Sequence, residues 1–452
     1  MRRGTAAGAA GPHSRARGAG AGPRRPASRR VRRLAGLLLA GAVTAAGTGC
    51  SALSGDEEPP VTGTVTFWDT SNETEAPFFN QLVAAFEKEY PEIDVTYVNV
   101  PFFEARQRFL DAAADGRAPD VLRADVGWTA GFVADGLLAD LTGTVAEPDP
   151  QDFLENTVAG VTFDGAVHGV PQVTDTLALL YNKALFEEAG LTRPPRDWTE
   201  LRDYALTVKE ETGAEGIVLN TDAYYALPFL YGEGTDLVDP ASRTITVAGG
   251  PAVRGVTTAA GLVSSGAAPV PPAEDAYSAM QSAFKKGEAA MMINGPWSVA
   301  DAQDGTAFRG TGNLGIAPVP AGSTGIAGSP TGGHSLVISA DSRHPAAAAL
   351  FTAFMTATEQ QEKAAVALDL LPARKAAYSE TVLADPVRNA FYFAHTKSVA
   401  RPPLAETARM FGIFQEHYTA VLRGETSPEA GLDATARTWR DELLTGWIIP
   451  AS

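Results

Sequence analysis

Trp297 stands directly behind a short apolar strand. In FKKGEAAMMINGPW (284–297), Gly287 stops a helix, Ala289–Ile293 forms a run long enough for one buried strand, and Asn294-Gly295-Pro296 breaks it. A large aromatic on the loop that leaves a rigid strand is placed where binding residues sit. Trp68, Asp69, Arg123, Asp125 and Trp128 also fall at the ends of predicted strands. Catalytic patterns fail on context. GTGNLG (310–315) fits a dinucleotide fingerprint, but IAPVP follows it instead of a helix. SAFK (282–285) has no KTG partner. The six His residues lack ligand spacing, so no metal site is expected. Carboxylates are plentiful enough for a glycosidase pair, yet no feature selects one.

VTGTVTFWDT reads as a strand, APFFNQLVAAFEKEYPEIDVTYVNV as an amphipathic helix and a second strand, and APDVLRADVGW as a third strand. Strands alternating with helices indicate a parallel, doubly wound sheet, with ligands at the carboxyl ends of its strands. A second α/β unit starts near HGVPQVTDTLALLYNK. Further strands are expected at GNLGIAPVP and LVISA, and the last hundred residues read as helical.

Composition narrows the class. The chain has 452 residues, enough for two domains. Residues 1–49 hold ten Arg and no acid, so the remainder carries 36 − 10 = 26 basic against 53 acidic residues, a net of −27. That charge argues against a nucleic-acid partner. Arg29, Arg30, Arg32 and Arg33 precede the apolar LAGLLLAGAV and the small residues that end at Cys50, the single cysteine. This is the order of a secretory signal. Gly-Thr-Gly-Cys resembles a bacterial lipobox, with Gly47 where Leu is usual, so Cys50 is the expected lipidation site. Plain signal cleavage would leave it a bystander. Ser28–Arg30 also fits the start of a twin-arginine motif, and the translated start could lie nearer Val31. Residues 50–60 read as a tether.

FKKGEAAMMINGPW, GVPQVTDTLALLYNK and LLPARKAAY together resemble the extracellular sugar-binding proteins of ABC importers, and the maltose/maltodextrin and trehalose branch above all. The resemblance implies an α/β, two-lobe periplasmic-binding-protein-like fold (type II) with ligand in the interlobe cleft. It implies a first lobe of 61–172 plus 289–331 and a second of 173–288 plus 332–449. It also implies no catalysis and no cofactor, a small carbohydrate ligand, permease subunits as partners, a monomer, and contact with the membrane only through the lipid anchor. The expected stacking platforms are Trp68, Trp128, Tyr225, Tyr231, Trp297 and Phe411. Phe411 falls where maltodextrin receptors carry Trp. Expected hydroxyl acceptors are Asp69, Glu75, Asp125 and Asp175, and expected donors are Asn72, Arg123, Arg374 and the backbone at Gly332 and Gly333. Arg123 could instead form a structural ion pair with Asp69 or Asp125. The implied ligand is an α-glucoside such as maltose, maltodextrin or trehalose. Another oligosaccharide, a glycerol-phosphate-type solute and a secreted glycosidase stay open.

Overall fold

The structure is a computed structural model that describes residues 61–450. The expected signal segment 1–49, Cys50 and the tether 50–60 lie outside the described residues. The strands that matter are, in order, β1 (Gly63–Asp69), β2 (Ile93–Asn99), β3 (Val121–Asp125), β4 (Val170–Asp175), β5 (Ala178–Asn182), β6 (Glu215–Val218), β7 (Ala289–Asn294), β8 (Leu314–Ala317), β9 (Pro330–Ile338), β10 (Leu371–Pro372) and β11 (Val399–Ala400). They form two principal sheets. The first runs β10-β4-β9-β3-β1-β2, with β11 alongside β9, and the second runs β8-β5-β7-β6.

Both sheets are mixed, which corrects the expected all-parallel arrangement. β1 pairs in parallel with β2 and β3, but β9 runs antiparallel to β3 and β4. In the second sheet β7 is parallel to β6 and antiparallel to β5. Parallel pairing needs a crossover connection between neighbouring strands. A strand that enters from the other lobe is free of that requirement.

The lobe boundaries also differ from the expected ones. β7 and β8, inside the segment 289–331 assigned to the first lobe, hydrogen-bond into the second sheet, while β9 and β10 belong to the first. The first crossing falls at 176–177, just after β4. The physical reason is that an apolar strand is equally buried in either sheet. Its own residues do not say which neighbours it will meet.

The helices are amphipathic and cover these sheets. They include α1 (Ala76–Glu89), α2 (Phe102–Ala114), α3 (Val126–Ala134), α4 (Trp198–Thr212), α5 (Pro345–Met355), α6 (Pro386–His395) and α7 (Thr407–Leu422). α4 shows how the ends are fixed. The Asp197 carboxylate accepts the Glu200 amide at 2.8 Å, and Gly213 closes the helix in a left-handed conformation. In the first lobe α1 buries Phe79, Leu82, Val83 and Phe86. Phe351 of α5 lies 5.1 Å from both Phe67 of β1 and Phe86, ring centre to ring centre. α7 packs against α3 of the first lobe and the 3-10 turn Ala223–Ala226 of the second, so it spans the seam. Among the described residues, no helix is long and apolar enough to cross a membrane.

Phe351 is fully buried at the centre of this aromatic group. Phe351→Ala is expected to cost about 3–5 kcal/mol of stability, read as a lower urea midpoint with little change in slope.

Candidate functional site

The turn after β7 is built to hold Trp297. Asn294 is fully buried, and its side-chain oxygen accepts from the Gly295 amide at 2.9 Å and from the Tyr225 hydroxyl at 3.0 Å. Its amide nitrogen donates to Gln281 at 3.0 Å. The Ser298 hydroxyl donates back to Gly295 O at 2.7 Å. The Trp297 ring then folds over Gly295, where a Cβ would sit 1.9 Å from a ring carbon. Only glycine fits there. Trp297 packs against the cores of both lobes, and its carbonyl accepts from Asn72 Nδ2 of the first lobe at 3.2 Å. Asn72 is itself fixed by accepting the amides of Thr74 and Glu75.

A second contact joins the lobes nearby. The Tyr224 hydroxyl donates to Asp175 Oδ1 at 2.9 Å. Gly332 lies opposite Asp175 in the β4–β9 register, and a Cβ there would come 2.2 Å from Asp175 Oδ1 and 2.5 Å from the Tyr224 oxygen. The missing side chain therefore makes room for the bond. Gly333 pairs with Thr174 at φ +130°. The Thr174 hydroxyl directs its one proton to Gly332 O at 3.1 Å, so His395 Nε2, at 2.9 Å, is the donor to that oxygen. Burial pushes His395 down to about 4, which keeps it neutral.

Arg401 ties these parts together. It follows β11, and its Nε donates to Thr331 O at 3.3 Å while Nη2 reaches Asp125 at 3.5 Å. Its guanidinium carbon lies 5.1 Å from the centre of the Tyr224 ring and 5.8 Å from that of Phe411. Burial works against its charge, but Asp125, Tyr224 and Asp175 outweigh it and raise its pKa. Asp125 also caps α3 by accepting the Gly127 amide at 2.7 Å. A cavity of about 130 Å³ adjoins this group, lined in part by Val126, Gly127, Asn156, Thr331, Gly332 and Arg401.

Other expected residues sit in different surroundings. Arg123 forms the structural ion pair left open by its sequence with Asp69, and adds Glu75 where Asp125 was the other candidate. Its guanidinium lies 3.9 Å from Asp69, 3.6 Å from Glu75 and 5.1 Å from the Phe79 ring centre, and Nε donates to Gln172 at 2.9 Å. Both Asp69 oxygens are engaged, one by Ser71 and the other by the Tyr97 hydroxyl at 2.6 Å. Trp68 packs on the sheet face that holds Phe109 and Phe132. Trp128 stacks on Phe102. Tyr225 and Tyr231 are buried. Arg374 is not brought to the seam group. It donates to Thr356 O at 2.8 Å, reaches Asp152 at 3.4 Å and lies over Phe153 at 4.2 Å.

The sequence reading missed Tyr224 and Arg401. Tyr224 neighbours the named Tyr225, and in a 3-10 turn adjacent residues face different ways. Arg401 lies in SVARPPLAE, with no strand-end pattern to mark it, and its partner Asp125 is 276 positions away.

Two carboxyls, Asp175 at the seam and Glu75 beside Arg123, are each pushed up to about 7. In both cases burial is the main cause. For Asp175, the Tyr224 hydrogen bond and the charges of Arg401 and Arg123 oppose the rise, while Asp125 adds to it. The arrangement offers aromatic faces, carboxyl acceptors and a guanidinium donor from both lobes. Among the described residues, no group of three or more acids, His or Cys could hold a metal.

The family model described as bacterial extracellular solute-binding protein matches residues 70–362. The chain is similar to the GacH receptor of Streptomyces glaucescens GLA.O, solved unliganded and with acarbose and an acarbose homolog. Identity is 43%, coverage is 86% of this chain and 100% of that one, and the TM-score is 0.83. It is also similar to maltose-bound MalE3 of T. maritima, at 26% identity, with 84% and 100% coverage and a TM-score of 0.77. A putative binding protein of Brucella abortus (strain 2308) is 27% identical over 56% of this chain, a match that spans 62% of that relative's length.

The raised carboxyls predict a pH dependence. A carboxyl raised on folding gives stability that is fully present below its ordinary value and lost as pH rises through about 7. Melting temperature is expected to fall from about pH 4 to about pH 7 and to level off above it, and Asp175→Asn should flatten part of that fall.

Proposed function

Because the chain belongs to the family of bacterial extracellular solute-binding proteins, we propose that it is the sugar receptor of an ABC importer, taking an α-glucosidic oligosaccharide such as maltose, maltodextrin or an acarbose-type compound. Trehalose stays within the class. The observation that carries this reading is the seam itself, where Trp297, Tyr224 and Asp175 are held at the contact between lobes with Arg401 beside them. A pyranose has an apolar C–H face and hydroxyls that project sideways. Trp297 and Tyr224, whose ring centres are 6.4 Å apart, supply faces, while Asp175 and Asp125 can accept hydroxyl protons. Asp175 accepts from a sugar hydroxyl without any proton transfer, so the ligand leaves unchanged. Acids outnumber arginines here, which disfavours a phosphorylated solute.

Reversible binding at a seam is coupled to hinge motion, because ligand that touches both lobes favours the arrangement that brings them together. Similarity to the acarbose-binding and maltose-binding proteins supports the ligand class. In this reading Cys50 carries the lipid anchor on the outer face of the membrane, the folded body acts as a monomer, and the released sugar passes to the permease subunits.

Titration calorimetry with maltose, maltotriose, trehalose and acarbose tests the proposal. Binding near micromolar, about −8 kcal/mol, is expected for at least one, with the sugar recovered intact. Trp297→Ala should weaken it at least about tenfold, or 1.4 kcal/mol. Heat only with a non-glucose ligand, or steady release of glucose, would contradict the proposal.

A further inference from the structure

Phe103 is the most exposed of the large apolar side chains among the described residues, at 76%. One exposed apolar residue needs no explanation, but Phe103 does not stand alone. Its ring meets Phe102 edge-on at 5.4 Å between centres. Phe102 in turn stacks on Trp128 at 5.1 Å with 28° between planes, and meets the edge of His334 at 5.7 Å. Phe102 and Trp128 are both half-buried. The four rings make one strip from an exposed tip to β9, where His334 pairs with Asp125.

The fold places this strip deliberately. Phe102 and Phe103 open α2 directly after Pro101, at the carboxyl end of β2. Trp128 lies in the first turn of α3, which Asp125 caps. Both are strand ends of the parallel part of the sheet, where α/β folds bind ligands. The strip carries no charge. Burial, with Arg123 and Arg401 nearby, holds His334 well below its ordinary value and so neutral.

We propose that Phe103, Phe102 and Trp128 form an aromatic ledge that stacks an outer glucosyl unit, giving the receptor a preference for chains of three or more units over two. This rests on the sugar-receptor reading above. Phe102 meets His334, which pairs across the sheet with Asp125, and Asp125 reaches Arg401 at the seam. Its chemistry fits the C–H face of a neutral sugar. Three rings fall far short of the about 800 Å² per partner that a stable protein interface needs, so a sugar unit is the occupant the observations favour.

Calorimetry on the full mature chain with maltose, maltotriose and maltotetraose tests this. The wild type should bind the longer sugars more tightly than maltose. Phe103→Ala removes an exposed ring from a helix and should leave the fold intact. It is expected to weaken maltotetraose about fivefold or more while leaving maltose unchanged, and Phe103→Trp should restore the gain. Equal loss for all lengths, or no loss for any, would overturn the ledge and leave the receptor reading standing. A wild type that binds trehalose alone would do the same. A wild type that binds no glucoside would overturn both.

Discussion

The hydrogen bond from the Tyr224 hydroxyl to Asp175 Oδ1, 2.9 Å long, joins two lobes that otherwise have separate sheets and separate cores. It exists because Gly332 has no side chain to stand between the partners. Burial leaves Asp175 in an environment that resists its charge and pushes its carboxyl up to about 7, although the Tyr224 bond opposes that rise. A carboxyl held there is costly for the folded state at higher pH. Around it the polar contact from Asn72 to Trp297 crosses the seam, beside the packing of Trp297 on both cores and of Arg401 over the Tyr224 ring. A seam held by a few polar bonds can be remade by a ligand that offers hydroxyls in their place. A continuous apolar interface could not exchange partners in that way.

Rigidity and exchange are divided between layers. Beneath the seam, Asp69, Tyr97, Ser71 and Arg123 form a buried network with its groups largely satisfied inside the first lobe. Asn294 and Gln281 do the same in the second, fixing the turn that presents Trp297. Removing one partner of a buried polar pair leaves the other uncompensated. These inner residues therefore act on the site through the backbone positions they hold. The side chains left to meet a solute are those nearer the seam.

Much of this was legible in the sequence, and the limits are physical. The first three strands and their helices followed from periodicity, and the NGPW turn announced a held aromatic. The sheet membership of Ala289–Asn294 did not, because six buried residues look alike in either sheet. At strand ends the pattern named Asp69 and Arg123 beside Asp125, although the first two turn inward to each other. Nothing local separates a carboxylate that caps a helix at a cleft from one that closes an interior network. Tyr224 was one residue from a named position, and Arg401 had no local pattern at all. Pairings across 49 and 276 positions are set by tertiary packing, between the lobes for Tyr224 with Asp175 and within the first lobe for Arg401 with Asp125, and a single sequence carries no trace of them.

The claim at the centre is that Asp175 and Tyr224 act as one unit where ligand binds. A double-mutant cycle on oligosaccharide affinity, with Asp175→Asn, Tyr224→Phe and the combined variant titrated with maltotriose, measures it directly. The account predicts non-additive losses, with a coupling of about 1 kcal/mol or more. Losses that add within about 0.5 kcal/mol would mean that the two groups act independently, and would contradict the account.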